Sequence, residues 1–162
     1  RLERDLPPPR GGNLDMLAQD PLMFLVRFGQ DRPFPGAHQQ VGLRNPGSRY
    51  DGTRHNIGAE VVAAISPDLK FRRARLGIQA DVATLRIGDT RAVLAMPRTF
   101  MNECGQSIAP LARYERVDGD RLLIVHDDID LPFAKLKFQF GGGAGGHNGI
   151  RSIVNSLGTN EF

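Results

Sequence analysis

The stretch Leu122-Leu123-Ile124-Val125-His126-Asp127-Asp128-Ile129-Asp130 runs from four consecutive apolar residues into a histidine and three carboxylates. An apolar run without alternation predicts a strand covered on both faces. Downstream, Lys135 to Phe140 alternates apolar and polar as a strand with two unlike faces would. A loop carrying Gly141, Gly143 and Gly146 follows, and then Ile150 to Leu157 at helical spacing. Upstream, the spacing predicts a helix over 102–116, with Ser107 as its cap so that Pro110 falls in the first turn, where a missing N–H costs little. Ile78 to Leu85 and Ala92 to Met96, joined at Gly88-Asp89, predict a hairpin. Ile57, Val61, Val62 and Ile65 predict a helix over 55–65, entered after a tight turn at Asn45-Pro46-Gly47. Strands interleaved with helices predict an α/β fold: one three-layer domain, a twisted mixed β-sheet with helices on both faces.

The N-terminal part reads differently. Residues 1–20, with Pro7-Pro8-Pro9, predict a flexible tail, Leu22 to Val26 one short strand, and residues 31–40 a second loop. Gln40 to Leu43 is nevertheless expected to form a short strand beside Leu122 to Val125, because strand pairing uses backbone groups that glutamine also possesses. With 162 residues the chain has room for one domain of ordinary size. Its 40% hydrophobic and 24% charged residues exclude a disordered or fibrous chain. The lone Cys104 cannot make an internal disulfide or a thiolate metal site and points to a reducing compartment. The run from Leu22 to Val26 stops at Arg27, far short of the ~20 apolar residues that span a bilayer, so neither a membrane nor an export signal is expected. Net charge is +3, but residues 41–100 carry ten basic against five acidic side chains. That middle third is the part expected to face a polyanion.

Several motifs invite a chemistry and then withhold it. Gly141, Gly143 and Gly146 satisfy G-x-G-x-x-G, but the acidic residue needed ~20 positions later could only be Glu161, and His147-Asn148 stands where a phosphate loop needs Lys-Ser/Thr. Ser107, followed by Asp127 and His147, mimics a serine-hydrolase order, yet Asn102-Glu103-Cys104 precedes it where an apolar strand should run, so a serine esterase is a lesser alternative. Asp127 and Asp128 would point to opposite sides in strand geometry, so at most two of Asp127, Asp128 and Asp130 converge on a cation. A single carboxylate facing a histidine is the better reading, since an imidazole with one nitrogen engaged keeps the other basic. Thr53-Arg54-His55-Asn56 opens a helix facing the Asn45 turn. Asn45, Asn56, Asn102 and Asn148, all at turns or helix starts, offer both a donor and an acceptor, which suits a peptide main chain.

Five of these motifs together resemble the bacterial-type peptidyl-tRNA hydrolase family: Gly42-Leu43-Arg44-Asn45-Pro46-Gly47 with Tyr50; Thr53-Arg54-His55-Asn56-x-Gly58; Thr99-Phe100-Met101-Asn102-x-x-Gly105; His126-Asp127-x-x-Asp130-Leu131-Pro132; and the glycine loop through His147-Asn148-Gly149. The resemblance covers about residues 41–162 and leaves 1–40 as an atypical, partly flexible N-terminal segment. It implies hydrolysis of the ester joining a peptide to the 3′ ribose of tRNA. His55 would be the general base and Asp127 its support. Asn45, Asn102 and Asn148 would grip the peptide end and order water, with Tyr50 and Phe100 at the tRNA terminus and Met101 and His147 lining the groove. No metal or cofactor is expected; peptidyl-tRNA is the expected partner of a cytoplasmic monomer. Because the fold also resembles organelle RNA-splicing factors, the alternative is a catalytically impaired RNA-binding relative. The family pattern continues with a further strand and a terminal helix, so 41–162 is expected to be incomplete at its C-terminus. Arg44 stands where the family usually has a small residue and is expected to crowd the groove or contact RNA.

Overall fold

The computed structural model describes residues 37–65 and 67–162. Strand β1 (Ala37–Gly42) runs parallel to β4 (Thr90–Pro97) on one side and to β5 (Leu122–Val125) on the other. Strand β4 forms an antiparallel hairpin with β3 (Ala80–Ile87), and the two-residue β2 (Arg72–Arg73) completes one edge. The resulting mixed sheet has the order β2-β3-β4-β1-β5. Ile87 pairs with Thr90 across Gly88-Asp89, with Gly88 in the left-handed region at φ 56°, so the hairpin turns where expected.

Helix α1 (Ile57–Ile65) lies on one face of the sheet and α2 (Gly105–Glu115) and α3 (Asn148–Leu157) on the other. The alternation along β1 shows why. Val41 joins Leu43, Ala95, Ile108, Leu111 and Ile153 in the main core under α2 and α3, whereas Gly42 points the other way, against α1. The α/β assignment with helices on both faces therefore holds.

Four expectations need correction. First, residues 37–40 are strand rather than loop. Gln39 pairs with Leu122 and Gln40 with Leu123, and both glutamines are buried, a placement that hydropathy argues against. Second, β5 is an edge strand among the described residues, and only Leu122 of its four apolar residues is buried. Third, the alternating stretch 135–140 makes no ladder. Alternation describes side chains, but a strand also needs a neighbour's N–H and C=O groups, and Leu136, Phe138 and Phe140 stand exposed. Fourth, Ser107 caps nothing: α2 starts at Gly105, and the buried Ser107 hydroxyl donates to the Gln79 carbonyl at 2.7 Å. Pro110 consequently sits inside the helix and removes the helical donor to the Gln106 carbonyl. The expected tail over 1–20 and strand over Leu22 to Val26 lie outside the described residues. Among those described, no helix is long and apolar enough to cross a membrane.

Candidate active site

A close backbone crossing brings the charged groups together. A Cβ built on Gly58 would stand 2.1 Å from the Val125 carbonyl oxygen, and one on Gly42 would stand 2.2 Å from the Gly58 carbonyl oxygen. Only glycine at both positions lets the first turn of α1 touch the ends of β1 and β5. The Leu43 N–H donates to Val125 O at 2.9 Å and the Ala59 N–H to Leu43 O at 3.2 Å, tying the three elements. A 3₁₀ turn, Arg54–Asn56, leads into α1 and holds His55 over the end of β5, two residues before Asp127.

His55 Nδ1 lies 2.8 Å from Asp127 Oδ2. The ring N–H is not aimed well enough along that line for a hydrogen bond, and both carboxylate oxygens are buried without one. The contact is thus electrostatic, one small ring rotation from a bond. Asp127 is 9% exposed and His55 51% exposed. A carboxylate held this dry favours a proton on the facing Nδ1, which leaves Nε2 of the exposed ring as the basic nitrogen.

A second imidazole approaches the same carboxylate from the other side, with His147 Nε2 3.6 Å from Asp127 Oδ1. His147 is the N-cap of α3, its Nδ1 accepting the Ile150 N–H at 3.2 Å. That bond needs a bare Nδ1 and fixes the neutral tautomer with its proton on Nε2, facing Asp127. Burial pushes the His147 pKa below the usual histidine value, and the His126 ring, tilted against it at 54° with 4.4 Å between centroids, pushes it the same way, outweighing the pull of Asp127. Both influences favour the neutral form of His147. His126 in turn donates from Nδ1 to the Asp127 carbonyl at 2.7 Å.

Asn45 shares this end of the sheet. Its backbone is bonded both ways to the Asn56 side chain, N–H to Oδ1 at 2.8 Å and O from Nδ2 at 3.3 Å, beside His55. Its Oδ1 accepts the Met101 N–H at 2.8 Å, which turns Nδ2 outward as a donor and anchors the 3₁₀ turn Met101–Glu103. Met101 itself is buried, while Asn102 is exposed. Asn148 is exposed too, but its Oδ1 is taken by Arg151, so Nδ2 is what it has to offer. Tyr50 and the 45% exposed Phe100 meet edge to face at 6.4 Å, and the Arg49 guanidinium covers the Tyr50 ring at 4.6 Å. All nine predicted site residues thus lie on the loops and helix starts at one end of the sheet.

Three features escaped the sequence reading. His126 packs its ring against His147, although only its place at a strand end was visible. The Gly42/Gly58 crossing leaves no periodic signal. Arg44 does not crowd the groove: its Nε donates to Pro97 O at 3.0 Å and its NH2 group to Asp81 at 2.7 Å, while Arg98 holds the other Asp81 oxygen at 3.2 Å. A cleft of about 220 Å³ opens there beside Asn45. The rival chemistries lose ground. Ser107 is fully buried and bonded to Gln79 and Thr99, out of reach of any base. Asp128 turns outward to accept the Asp130 N–H, and among the described residues no three metal-ligating side chains converge. Burial pushes the Cys104 thiol up to about 12, which makes it inert as a nucleophile.

Comparisons with known proteins bear on the family and the fold. A family described as peptidyl-tRNA hydrolase matches residues 40–162. The peptidyl-tRNA hydrolase of Mycobacterium marinum is 46% identical over 125 residues, covering 75% of this chain and 64% of that protein. The mitochondrial peptidyl-tRNA hydrolase of Oryza sativa is 46% identical over 121 residues, covering 75% and 48%. The crystal structure of the Acinetobacter baumannii peptidyl-tRNA hydrolase superposes with a TM-score of 0.71 at 32% identity, covering 80% of this chain and 67% of that one. This chain spans less than two thirds of the length of these two curated relatives. By its motifs, its sheet and these matches, the chain belongs to the peptidyl-tRNA hydrolase family.

Proposed function

We propose that this chain carries the hydrolytic centre for the ester between a peptide and the 3′ ribose of tRNA, and that it works without metal or cofactor. The observation that carries the reading is the 2.8 Å approach of His55 Nδ1 to the buried Asp127 carboxylate. With Nδ1 protonated, Nε2 takes a proton from water, and the water oxygen bonds to the ester carbonyl carbon. The tetrahedral intermediate puts negative charge on the former carbonyl oxygen. Asn102 Nδ2 or an N–H of the glycine loop stabilises that oxygen, worth about 3 kcal/mol per donor. The C–O bond to the ribose then breaks, and His55 returns its proton to the leaving 3′ oxygen. Asp127 stays anionic and holds the imidazolium. Asn45 and Asn148 present amide donors to the peptide main chain, Tyr50 and Phe100 flank the tRNA terminus, and Met101 and His147 line the groove.

The single, buried Cys104 fits a reducing compartment such as the cytoplasm, and one copy supplies every group named. Release of peptide from N-acetylaminoacyl-tRNA in the presence of EDTA tests the reading. His55→Ala is expected to lower kcat by at least ~100-fold, and Asp127→Asn, which disturbs the tautomer, by less. Full turnover by His55→Ala would overturn the mechanism, and salt-sensitive RNA binding without turnover by the wild type would assign the chain to the RNA-binding alternative.

A further inference from the structure

The sheet topology sets a row of arginines at the same end as His55 and Asp127. Strand β1 ends there and leads to Arg44, and parallel β4 ends there at Pro97, followed by Arg98. Antiparallel β3 begins at that end, with Asp81 beside Met96. Strand β2, antiparallel again, finishes there, with Arg73 opposite Asp81 and Arg75 just beyond. Arg72, Arg73 and Arg75 are exposed. Among the described residues, the carboxylates facing this row are Asp81, already shared by Arg44 and Arg98, and Asp51 at the cleft by Asn45. Five guanidiniums against two carboxylates leave three positive charges. At about 4.8 Å between strands, the path from β1 to β2 is roughly 14 Å, and a nucleic-acid strand rises ~3.4 Å per nucleotide.

We infer that the row Arg44, Arg98, Arg73, Arg72 and Arg75 is a docking surface for the phosphate backbone of the substrate's RNA, leading from the edge strand to Asn45. This rests on the hydrolase reading and adds to it a path for the RNA arm. An edge strand is where a long polyanion can lie without displacing an existing ladder, and Arg72 and Arg73 are also the charges that keep that edge from pairing with another sheet. Arg44 and Arg98 close on Asp81, and the exposed Arg73, Arg72 and Arg75 continue from it along the edge strand. That geometry suits successive phosphates, read by charge and not by base sequence, better than a single side-chain carboxylate.

The test is the triple variant Arg72→Ala/Arg73→Ala/Arg75→Ala, which alters exposed side chains only. KM for N-acetylaminoacyl-tRNA at about 0.1 M salt is expected to rise roughly tenfold, with kcat unchanged. The slope of log KM against log salt should fall by about 2, as for three lost phosphate contacts to a single strand. The triple lysine variant should keep most of the affinity, and the 3′-O-(N-acetylaminoacyl) ester of adenosine, which has no phosphates, should show no change. Fluorescence anisotropy with deacylated tRNA measures the same surface without turnover. If the wild type hydrolyses nothing yet the triple variant weakens tRNA binding, the hydrolase reading falls and the surface stands. Equal KM and salt slope for wild type and triple variant, a KM rise shared by the adenosine ester, or a rise confined to acidic peptides would each overturn the surface.

Discussion

Two stretches of similar size behave in opposite ways. Where β1, α1 and β5 meet, backbones touch through Gly42 and Gly58, and two strands and a helix start are locked within van der Waals distance. From residue 129 to 146 the chain makes no ladder. It exposes Ile129, Phe133, Leu136, Phe138 and Phe140, and bends through four left-handed glycines, Gly141, Gly142, Gly145 and Gly146. His55 and Asp127 stand on the first region; His147 is the hinge where the second ends. Glycine does different work in each. In the first it is needed because there is no room for a Cβ, in the second because the backbone turns where a Cβ is strained.

The largest expected effect separates these two roles. Gly58→Ala would drive a methyl into the Val125 carbonyl, which is backbone and cannot swing aside. It should destabilise by about 3 kcal/mol or more, by the overpacking mechanism with a rigid neighbour, and it should push His55 away from Asp127, abolishing turnover. Gly143 is the control: it has ordinary φ and nothing within 4 Å of an added Cβ, so Gly143→Ala should shift urea stability by no more than ~0.5 kcal/mol. Equal costs for the two would show that the crossing is looser than its geometry says.

That contrast also explains what the sequence could disclose. The β3/β4 hairpin, the three helices and the run at Leu122 to Val125 were legible because side-chain period reports on which face is covered. The candidate site was legible as residue types at turns and helix starts, where His55, Asp127 and the asparagines stand out as polar groups, although the pairing of Asn45 with Asn56 was not. The tight approach of Gly42 to Gly58 was not, because it leaves no apolar pattern. Nor was β1 over residues 37–40, whose strand is defined by ladders to β4 and β5 while its side chains include two glutamines. The alternation at 135–140 misled for the converse reason: the pattern was present and the ladder partner was not.

Gln39 gives the next effect, and its sign is reversed. It is fully buried on the face of β1 that carries Val41, and among the described residues neither its Oε1 nor its Nε2 has a hydrogen-bond partner. An amide so placed has lost its water without replacing it, a deficit of about 1–3 kcal/mol. Gln39→Leu, close in volume, should therefore raise stability by ~2 kcal/mol in urea titration while leaving kcat for the ester unchanged. A loss of stability would mean that the glutamine has a partner in solution and that this strand is less tightly sealed than the Gly42/Gly58 contact implies.

The smallest effect sits at the hinge and is read through pH. Burial and the neighbouring His126 ring hold the folded-state pKa of His147 below its unfolded value near 6.5, with Asp127 opposing and His55 adding to the depression. Unfolding therefore takes up a proton, and the contribution of His147 is complete above pH ~6.5 and lost as pH falls through the folded pKa. His38, lowered chiefly by its own burial, contributes with the same sign. Protonation at Nδ1 would also end its acceptance of the Ile150 N–H and uncap α3. His147→Asn keeps a good N-cap but cannot titrate, so at pH 8 it should cost no more than about 1 kcal/mol. Between pH 8 and pH 5 it should lose less stability than the wild type. An unchanged slope in His147→Asn would mean that His147 titrates alike folded and unfolded, and that the glycine segment does not hold its ring against Asp127.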